Sequence, residues 1–500
     1  MADTNINWHS ELDDPEAFRA FAHEAVDLAA DYLTALPERP VFQQMSVEAR
    51  VNLLEALLPV SGMPAGTVLD QFRSEIMPYP MGNGHPRFFG WVNSPPTAIG
   101  IVAELLAATM NPSCAGGDHA AIYLERVTVR WLMELMGFPA EGSMGILVSG
   151  GSMASLTGLA TARQWASAGD GWNARREGAQ GGAQMTMYVS SETHTTVIKA
   201  AELLGIGSQH VRIIAADADF RMDAVALEAA VIADRNAGYR PFAVVGSAGT
   251  VSTGAIDPLD AIADLCAEHG IWFHIDAAYG GPGILDGRVA PLYSGMERAD
   301  SLAIDPHKWL SVPVECGCVF VRDGTLLRQT FSLVPPYVQV EEGKGFGGLP
   351  WYAEYGFQQS RGFRALKTWM SLAHAGREGI EQTIRRHNDL ARYLAGRIES
   401  HPCLELVVAP QLSIVCFRYL PSSTGTGVLD ANALNKTLME RVQASGEAFV
   451  TQAVLGDTFA LRANVLHFSS TETDLDALVD VVVRIGDRLV AERAGSGAAP

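Results

Sequence analysis

Positive charge, cysteine and long apolar runs are all scarce in this sequence, and each scarcity removes a class of function. Thirty-six Lys and Arg face 56 Asp and Glu, for a formal net charge of −20. An acidic surface of this kind repels nucleic acid and anionic membranes, so neither is expected as a partner. It says little about a small ligand, whose site has its own local field. The six cysteines, Cys114, Cys266, Cys316, Cys318, Cys403 and Cys416, form no framework. Cys316 and Cys318 make a C-x-C, but no second Cys/His pair lies at metal-ligand spacing. They read as reduced, packed thiols, and no metal is expected. The start, MADTNINWHSELDDPEAF, lacks the basic residues and apolar stretch of a secretion signal. No uninterrupted apolar run is long enough to span a bilayer, and no internal repeats are visible. A cytoplasmic protein is the expectation.

What is present is ordinary globular material: 500 residues, 48% apolar and 18% charged. That length is too great for one compact core, so two or three domains are expected. Residues 1–90 read as a helical segment. Asp14 can cap and Pro15 can take the first helical position of DDPEAFRAFAHEAVDLAADYL, where Phe18, Phe21, Ala25, Leu28, Ala29 and Tyr32 recur at three- and four-residue steps. A second helix is expected from Ser46, with Leu53, Leu54 and Leu57 on one face. Two such helices have little core of their own. Their apolar faces need the main domain or a second subunit.

Residues 91–378 read as a large domain. From about Gly145 to Arg322, GILVSG, MTMYVS, HVRIIAA, PFAVVGS, IWFHID, SLAI and GCVFVR read as strands, many without polar alternation. Strands buried on both faces look like this, and the helical patterns between them favour a largely parallel sheet. Ligands of such sheets sit at the carboxyl ends of strands. The Gly- and Pro-rich stretch from about 331 to 351, FSLVPPYVQVEEGKGFGGLPW, has no clear period and is expected to be a functional lid or a flexible surface loop. Residues 379–490 suggest a smaller α+β domain, and 491–500 a frayed tail.

Four strand ends carry candidate chemistry. After GILV come Ser149, Gly150, Gly151 and Ser152, then a helix. Free N–H groups, a hydroxyl and a helix N-terminus make a phosphate cradle, although SGGS is also a routine turn and cap. Asp276 ends the apolar strand IWFHID. A carboxylate buried there needs a cation, such as a protonated ring nitrogen, or it caps the next turn. Lys308 follows SLAI, 32 residues after Asp276. Partial burial lowers a lysine toward nucleophilicity, which fits an imine with an aldehyde cofactor; a lone lysine can equally snorkel to solvent. His194 follows MTMYVS, where an imidazole can stack on a heteroaromatic ring or simply begin a helix. All four fall at the carboxyl ends of strands in one sheet and converge on one ligand.

At this point IDPHKWL, FHIDAAYGG, ETHTTVIKAAELLG, HPRFFGWV and QSRGFRALKTWM together resemble the group II pyridoxal-phosphate decarboxylases, which include aromatic-L-amino-acid, histidine and glutamate decarboxylases. The resemblance covers roughly residues 15–490. It implies an α/β architecture of the fold-type I, aspartate-aminotransferase-like kind, with pyridoxal 5'-phosphate as cofactor and an amino acid as substrate. It also implies a homodimer with the active site at the subunit interface and the N-terminal segment wrapped around the partner. By the same resemblance Lys308 is the Schiff-base lysine, His307 its neighbour near the phosphate, Asp276 the pyridinium partner, Ala278 the small residue under the ring and His194 the stacking histidine. Gly151 and Ser152 fall where the family binds phosphate, and Ser247 at another cofactor-contacting position. Tyr337 resembles the loop tyrosine that protonates the α-carbon after CO2 leaves. Phe89 and Trp91 fall in the stretch that shapes the substrate pocket.

Three positions depart from the animal aromatic enzymes: Met153 stands where an acidic residue is common, GWVNSPPTA is longer, and Asp305 replaces a frequent Asn. They bear on the substrate more than on the cofactor. The expected reaction is decarboxylation of an L-amino acid to the amine and CO2. An aromatic substrate is the first choice because Trp91, Phe88 and Phe89 could line a pocket, though each could equally serve the core. Acidic or other non-aromatic substrates remain open. An oxidative aldehyde synthase is the sister chemistry, in which the loop tyrosine becomes Phe or the stacking histidine becomes Asn; Tyr337 and His194 favour simple decarboxylation. A fold-type I aminotransferase or lyase would share Lys308 and Asp276 without needing the Tyr337 loop. A non-enzymatic homologue would lack the reactive set.

Overall fold

The computed structural model describes residues 11–179, 181–333, 346–421 and 430–496. Seven strands form the main sheet: β1 (Met144–Val148), β2 (Met185–Ser190), β3 (Val211–Ile214), β4 (Arg240–Ser247), β5 (Trp272–Asp276), β6 (Ser301–Ile304) and β7 (Gly317–Val321). Their order is β1-β7-β6-β5-β4-β2-β3. Each apolar run picked out in the sequence is one of these strands. Pairings from β3 through β2, β4 and β5 to β6 are parallel, whereas β7 runs antiparallel to both β6 and β1. The reversal has a local reason. No crossover helix separates β6 from β7, so the chain turns back directly instead of returning to the start of the sheet.

Every residue of β1, β2, β6 and β7 is buried, which explains the lack of polar alternation. The helix Gly151–Gly169 lies across β4 to β7, with Ala154, Leu159 and Ala162 wholly buried. Small residues let it sit close to the sheet. At Gly158 an added Cβ would come 2.9 Å from His274 Nδ1 on β5, a contact tighter than packing tolerates.

A second sheet contains β8 (Leu404–Val408), β9 (Ile414–Tyr419), β10 (Thr451–Leu455) and β11 (Thr458–Asn464), antiparallel in the order β10-β11-β9-β8. Its core includes residues of the helices Ala431–Ser445 and Glu472–Ser496. The helix Arg364–Glu399 contributes to both cores and breaks at Gly376, whose φ of 63° and ψ of 169° are non-helical. The closing helix runs to Ser496, well into the segment expected to be a frayed tail.

At the N-terminus, Asp14 caps Pro15–Ala35 by accepting the Ala17 N–H at 3.0 Å. Ser46 caps Val47–Leu54 in the same way. That second helix stops at Leu54, so Leu57 does not share its face as expected; Pro59 follows shortly and cannot continue a helix. Neither helix buries a single residue against the rest of the chain, and Leu54, Leu57 and Leu58 are 84%, 89% and 92% exposed.

Two buried histidines make the fold acid-sensitive. His274, on β5, lies between Ser301 Oγ (2.8 Å) and Ser155 Oγ (3.3 Å), and burial pushes it down to about 4. His387 is pushed down to about 3, again chiefly by burial. An unfolded histidine takes a proton near pH 6.5, so between that value and the folded value the unfolded chain binds more protons. Stability is therefore complete above about pH 6.5 and falls as the pH drops, by roughly 3 kcal/mol at pH 4 for His274 alone. Urea midpoints measured between those values should show this loss. His274→Gln should flatten the profile, and an unchanged slope would remove His274 as its source.

Candidate active site

The carboxyl ends of β1, β2, β4, β5 and β6 face one cavity of about 350 Å3. Gly151, Ser152, His194, Ser247, Asp276, Ala278, His307 and Lys308 all line it. The convergence expected from the sequence is thus a geometric fact of the fold, because parallel strands deliver all their C-terminal turns to the same edge.

Gly151 begins the helix after β1, so the first N–H groups of that helix open toward the cavity. Ser247 ends β4, where its N–H donates to Asp257 Oδ2 at 2.7 Å; the other oxygen of Asp257 accepts the Met222 N–H, also at 2.7 Å. Asp257 is 1% exposed and burial raises it to about 6. It sits behind the site and pins the end of β4. Asp276 ends β5 and its Oδ1 accepts the Ala278 N–H at 3.1 Å. His194 is the N-cap of the helix Thr195–Leu203, with Nδ1 2.6 Å from Thr196 Oγ1. Burial lowers the His194 pKa, opposed by Asp276 and reinforced by Lys308, so its ring is uncharged at neutral pH.

Lys308 follows β6 in a turn closed by its N–H on the Asp305 carbonyl at 2.9 Å. Its Nζ lies 2.9 Å from Asp305 Oδ2. His307 Nδ1 is 2.7 Å from the Cys316 carbonyl oxygen, which fixes the ring beside the lysine. Lys308 therefore points into the cavity and finds a carboxylate there.

Three of the expected site residues do not stand with these. Tyr337 lies outside the described residues. Phe89 is 1% exposed and packs in the core of the second sheet, its N–H on the Phe449 carbonyl; it does not line the cavity. Trp91 is 48% exposed, with a φ of 46°, and packs against Phe88 and Phe449. Val92, one residue on, lines the cavity instead. Sequence reasoning named Phe89 and Trp91 of this stretch; of the three, Val92 is the one that borders the cavity.

It also missed two acids. Glu192 lines the cavity, and burial raises its carboxyl while a hydrogen bond with Ser252 works the other way. Asp305 is 2% exposed beside Lys308. The signal for Asp305 was in the sequence, as an acid where amide is frequent, but its burial was not.

Residues 48–420 match the family described as "Pyridoxal-dependent decarboxylase conserved domain". The chain is 33% identical over 475 residues to the aromatic-L-amino-acid decarboxylase of Bacillus atrophaeus, covering 94% of this chain and 95% of that protein. It is 28% identical to a phenylacetaldehyde synthase of a Rosa hybrid cultivar, covering 90% of each. Among solved structures, Oryza sativa TDC with PLP and tryptamine superposes with a TM-score of 0.88 at 28% identity, over 95% of this chain and 98% of that one.

Proposed function

Since the chain belongs to the pyridoxal-dependent decarboxylases, we propose that Lys308, Asp276, His194 and the Gly151–Ser152 turn are its working residues and that its substrate is an aromatic L-amino acid. The protein is a pyridoxal-phosphate-dependent amino-acid decarboxylase. The cavity suits that cofactor on its own terms. Gly151 leaves open a cradle that a Cβ would fill, since such an atom would come 2.8 Å from Asp305 Oδ2 and 3.1 Å from Ala278 Cβ. Asp276 supplies an anion in the same lining, and Ala278, beside Gly151, is a small side chain that leaves room in the cavity.

Bound pyridoxal phosphate supplies an aldehyde for amino groups and a cationic ring that accepts the electron pair left when CO2 departs. The chain does the rest. Lys308 contributes the amine that holds the cofactor and gives way to the substrate amine. Asp276 holds the proton on the ring nitrogen. His194, uncharged, presents a flat face to the ring. The helix N-terminus at Gly151 and Ser152 takes the phosphate, and Ser247 and His307 bracket the remaining edge. Tyr337 returns a proton to the α-carbon. The observation that carries this reading is that Lys308 Nζ and the strand-end residues His194 and Asp276 border one cavity.

Relatives named for aromatic substrates support the aromatic choice. Incubating the cofactor-loaded enzyme with each common amino acid and dihydroxyphenylalanine, and scoring CO2 and amine, tests it directly. Stoichiometric CO2 and amine from aromatic substrates are expected. Turnover of acidic substrates alone would overturn the choice; oxygen uptake with aldehyde and peroxide would assign the aldehyde-synthase chemistry of the Rosa relative. Tyr337→Phe should leave cofactor binding intact while diverting product toward aldehyde, and an unchanged amine yield would remove Tyr337 from proton return. Gly151→Ala should weaken cofactor affinity about tenfold or more by crowding the cradle, measured by titrating the cofactor absorbance.

The exposed leucines of the N-terminal segment, together with Val102, Leu105, Leu106 and Met110 on the helix Ala98–Met110, form apolar surface with no cover in the single chain. A homodimer covers it, and sedimentation should give twice the 53.5 kDa chain mass. A cytoplasmic location fits six cysteines that form no disulfide; among the described residues no helix is long and apolar enough to cross a membrane.

A further inference from the structure

The helix Thr195–Leu203 is capped by His194, although histidine is not among the usual helix caps. Its Nδ1 accepts the Thr196 N–H at 3.3 Å and lies 2.6 Å from Thr196 Oγ1. A main-chain N–H only donates, so the ring nitrogen facing it carries no proton. The Thr196 hydroxyl, set against the same lone pair, then donates as well. A neutral imidazole holds one proton, and here it sits on Nε2. That atom has no hydrogen-bond partner among the described residues, and His194 and Thr196 both line the cavity. A carboxylate often fixes a histidine's tautomer. Here Asp276 and Asp305 act on the ring through charge alone, and no carboxylate among the described residues hydrogen-bonds to it. The task falls to Thr196.

We propose that Thr196 is the positioning residue for His194: its hydroxyl and its N–H together occupy Nδ1, hold the plane of the ring, and keep the ring's single proton on Nε2 as a donor offered to the cavity. The inference rests on the reading of His194 as the ring that lies against the cofactor. A ring pinned at Nδ1 turns only by breaking both bonds, so its flat face is set before any ligand enters. Its one accepting nitrogen is already filled, so toward the cavity the ring serves as a donor and not as a base. The other tautomer would set a ring N–H against the Thr196 N–H and leave the helix uncapped. Burial disfavours a doubly protonated ring; Lys308 and Lys199 add to that effect, and Asp276 and Asp305 oppose it. Valine at position 196 matches threonine in shape and lacks only the hydroxyl, which is the closer of the two donors.

The test labels the histidine rings of the full-length chain with nitrogen-15 and reads their NMR signals without cofactor, those of His194 being the ones lost in His194→Gln. In the unaltered protein Nδ1 should read as a bare, hydrogen-bonded nitrogen and Nε2 as a protonated one. A proton on Nδ1 overturns the proposal, and that result needs no threonine variant to fold. Thr196→Val should move the Nδ1 signal toward that of a bare nitrogen with no donor, and Thr196→Ser should restore it. An unmoved signal in Thr196→Val overturns the proposal. In the cofactor-loaded enzyme the freed ring of Thr196→Val should lower kcat about tenfold, one hydrogen bond's worth, with cofactor affinity unchanged, and Thr196→Ser should recover all but about twofold. Serine as slow as valine would show that the methyl group matters and the hydroxyl does not, which overturns the proposal as well. If pyridoxal phosphate loads onto Lys308 and leaves the His194 signals where they were, the ring does not lie against the cofactor. That outcome fails the reading beneath the inference, and the inference falls with it.

Discussion

Lys308→Ala should lose turnover by about four orders of magnitude or more, the scale seen when a covalent catalytic group is deleted, and should lose the cofactor that borohydride fixes to the chain. The argument is chemical. Among the described residues Lys308 is the lysine that lines the cavity, and the sequence holds only five lysines: Lys199, Lys308, Lys344, Lys367 and Lys436. Lys367 is buried in an ion pair with Glu104 on another face of the large domain. Mass spectrometry after borohydride reduction should therefore find the cofactor on the peptide containing IDPHKWL. Because Lys308 is paired with Asp305, its loss also leaves a buried carboxylate without its cation. A fold check by circular dichroism separates that structural cost from the loss of chemistry. Cofactor fixed to Lys344 or Lys199, with turnover retained in Lys308→Ala, would end the assignment.

How much of this was legible beforehand depended on what each residue's neighbours along the chain reveal. The seven strands were legible because burial on both faces removes polar alternation, and the runs are bounded by turns. The cavity's edge was legible for the same reason: residues following parallel strands share an edge, so Gly151, His194, Asp276 and Lys308 could be grouped with no contact known, while Ser247 was named through the family resemblance alone. Side-chain direction within an irregular stretch was not legible. Phe89, Trp91 and Val92 lie within four positions, yet one enters the second core, one faces outward and one lines the cavity. No period governs that segment. The antiparallel course of β7 was hidden as well, since a short turn and a crossover differ in length between strands, not in the strands' own composition. Nor could composition show that Asp305 is sealed from water.

The largest stability effect should come from a pair on the helix Ala120–Met136 and the segment leading into Arg364–Glu399. Glu125 and Arg361 side chains are each 1% exposed and joined by two hydrogen bonds, one of 3.0 Å and one of 2.5 Å. Burial opposes the charge of Arg361, but Glu125 outweighs it and the guanidinium is raised overall. Removing one member, as in Glu125→Gln, strands a buried cation and should cost about 3–5 kcal/mol in urea unfolding. Replacing a buried pair by apolar residues usually recovers such a loss. Here it should not. β1 is an edge strand, and at Leu147 its outward N–H donates to Glu125 Oε1 at 3.0 Å while its carbonyl accepts from Arg361 Nη2 at 2.6 Å. Arg361 also donates to the Cys114 carbonyl at 2.9 Å. The pair thus stands in for a missing neighbouring strand, and Glu125→Leu with Arg361→Met would orphan three backbone groups at about 1–3 kcal/mol each. Leu147 lies just upstream of the Gly150–Gly151 turn, so the double variant should also bind pyridoxal phosphate more weakly. A double variant as stable as the unaltered protein would show that these two charges only neutralise each other and do not hold the edge of the sheet.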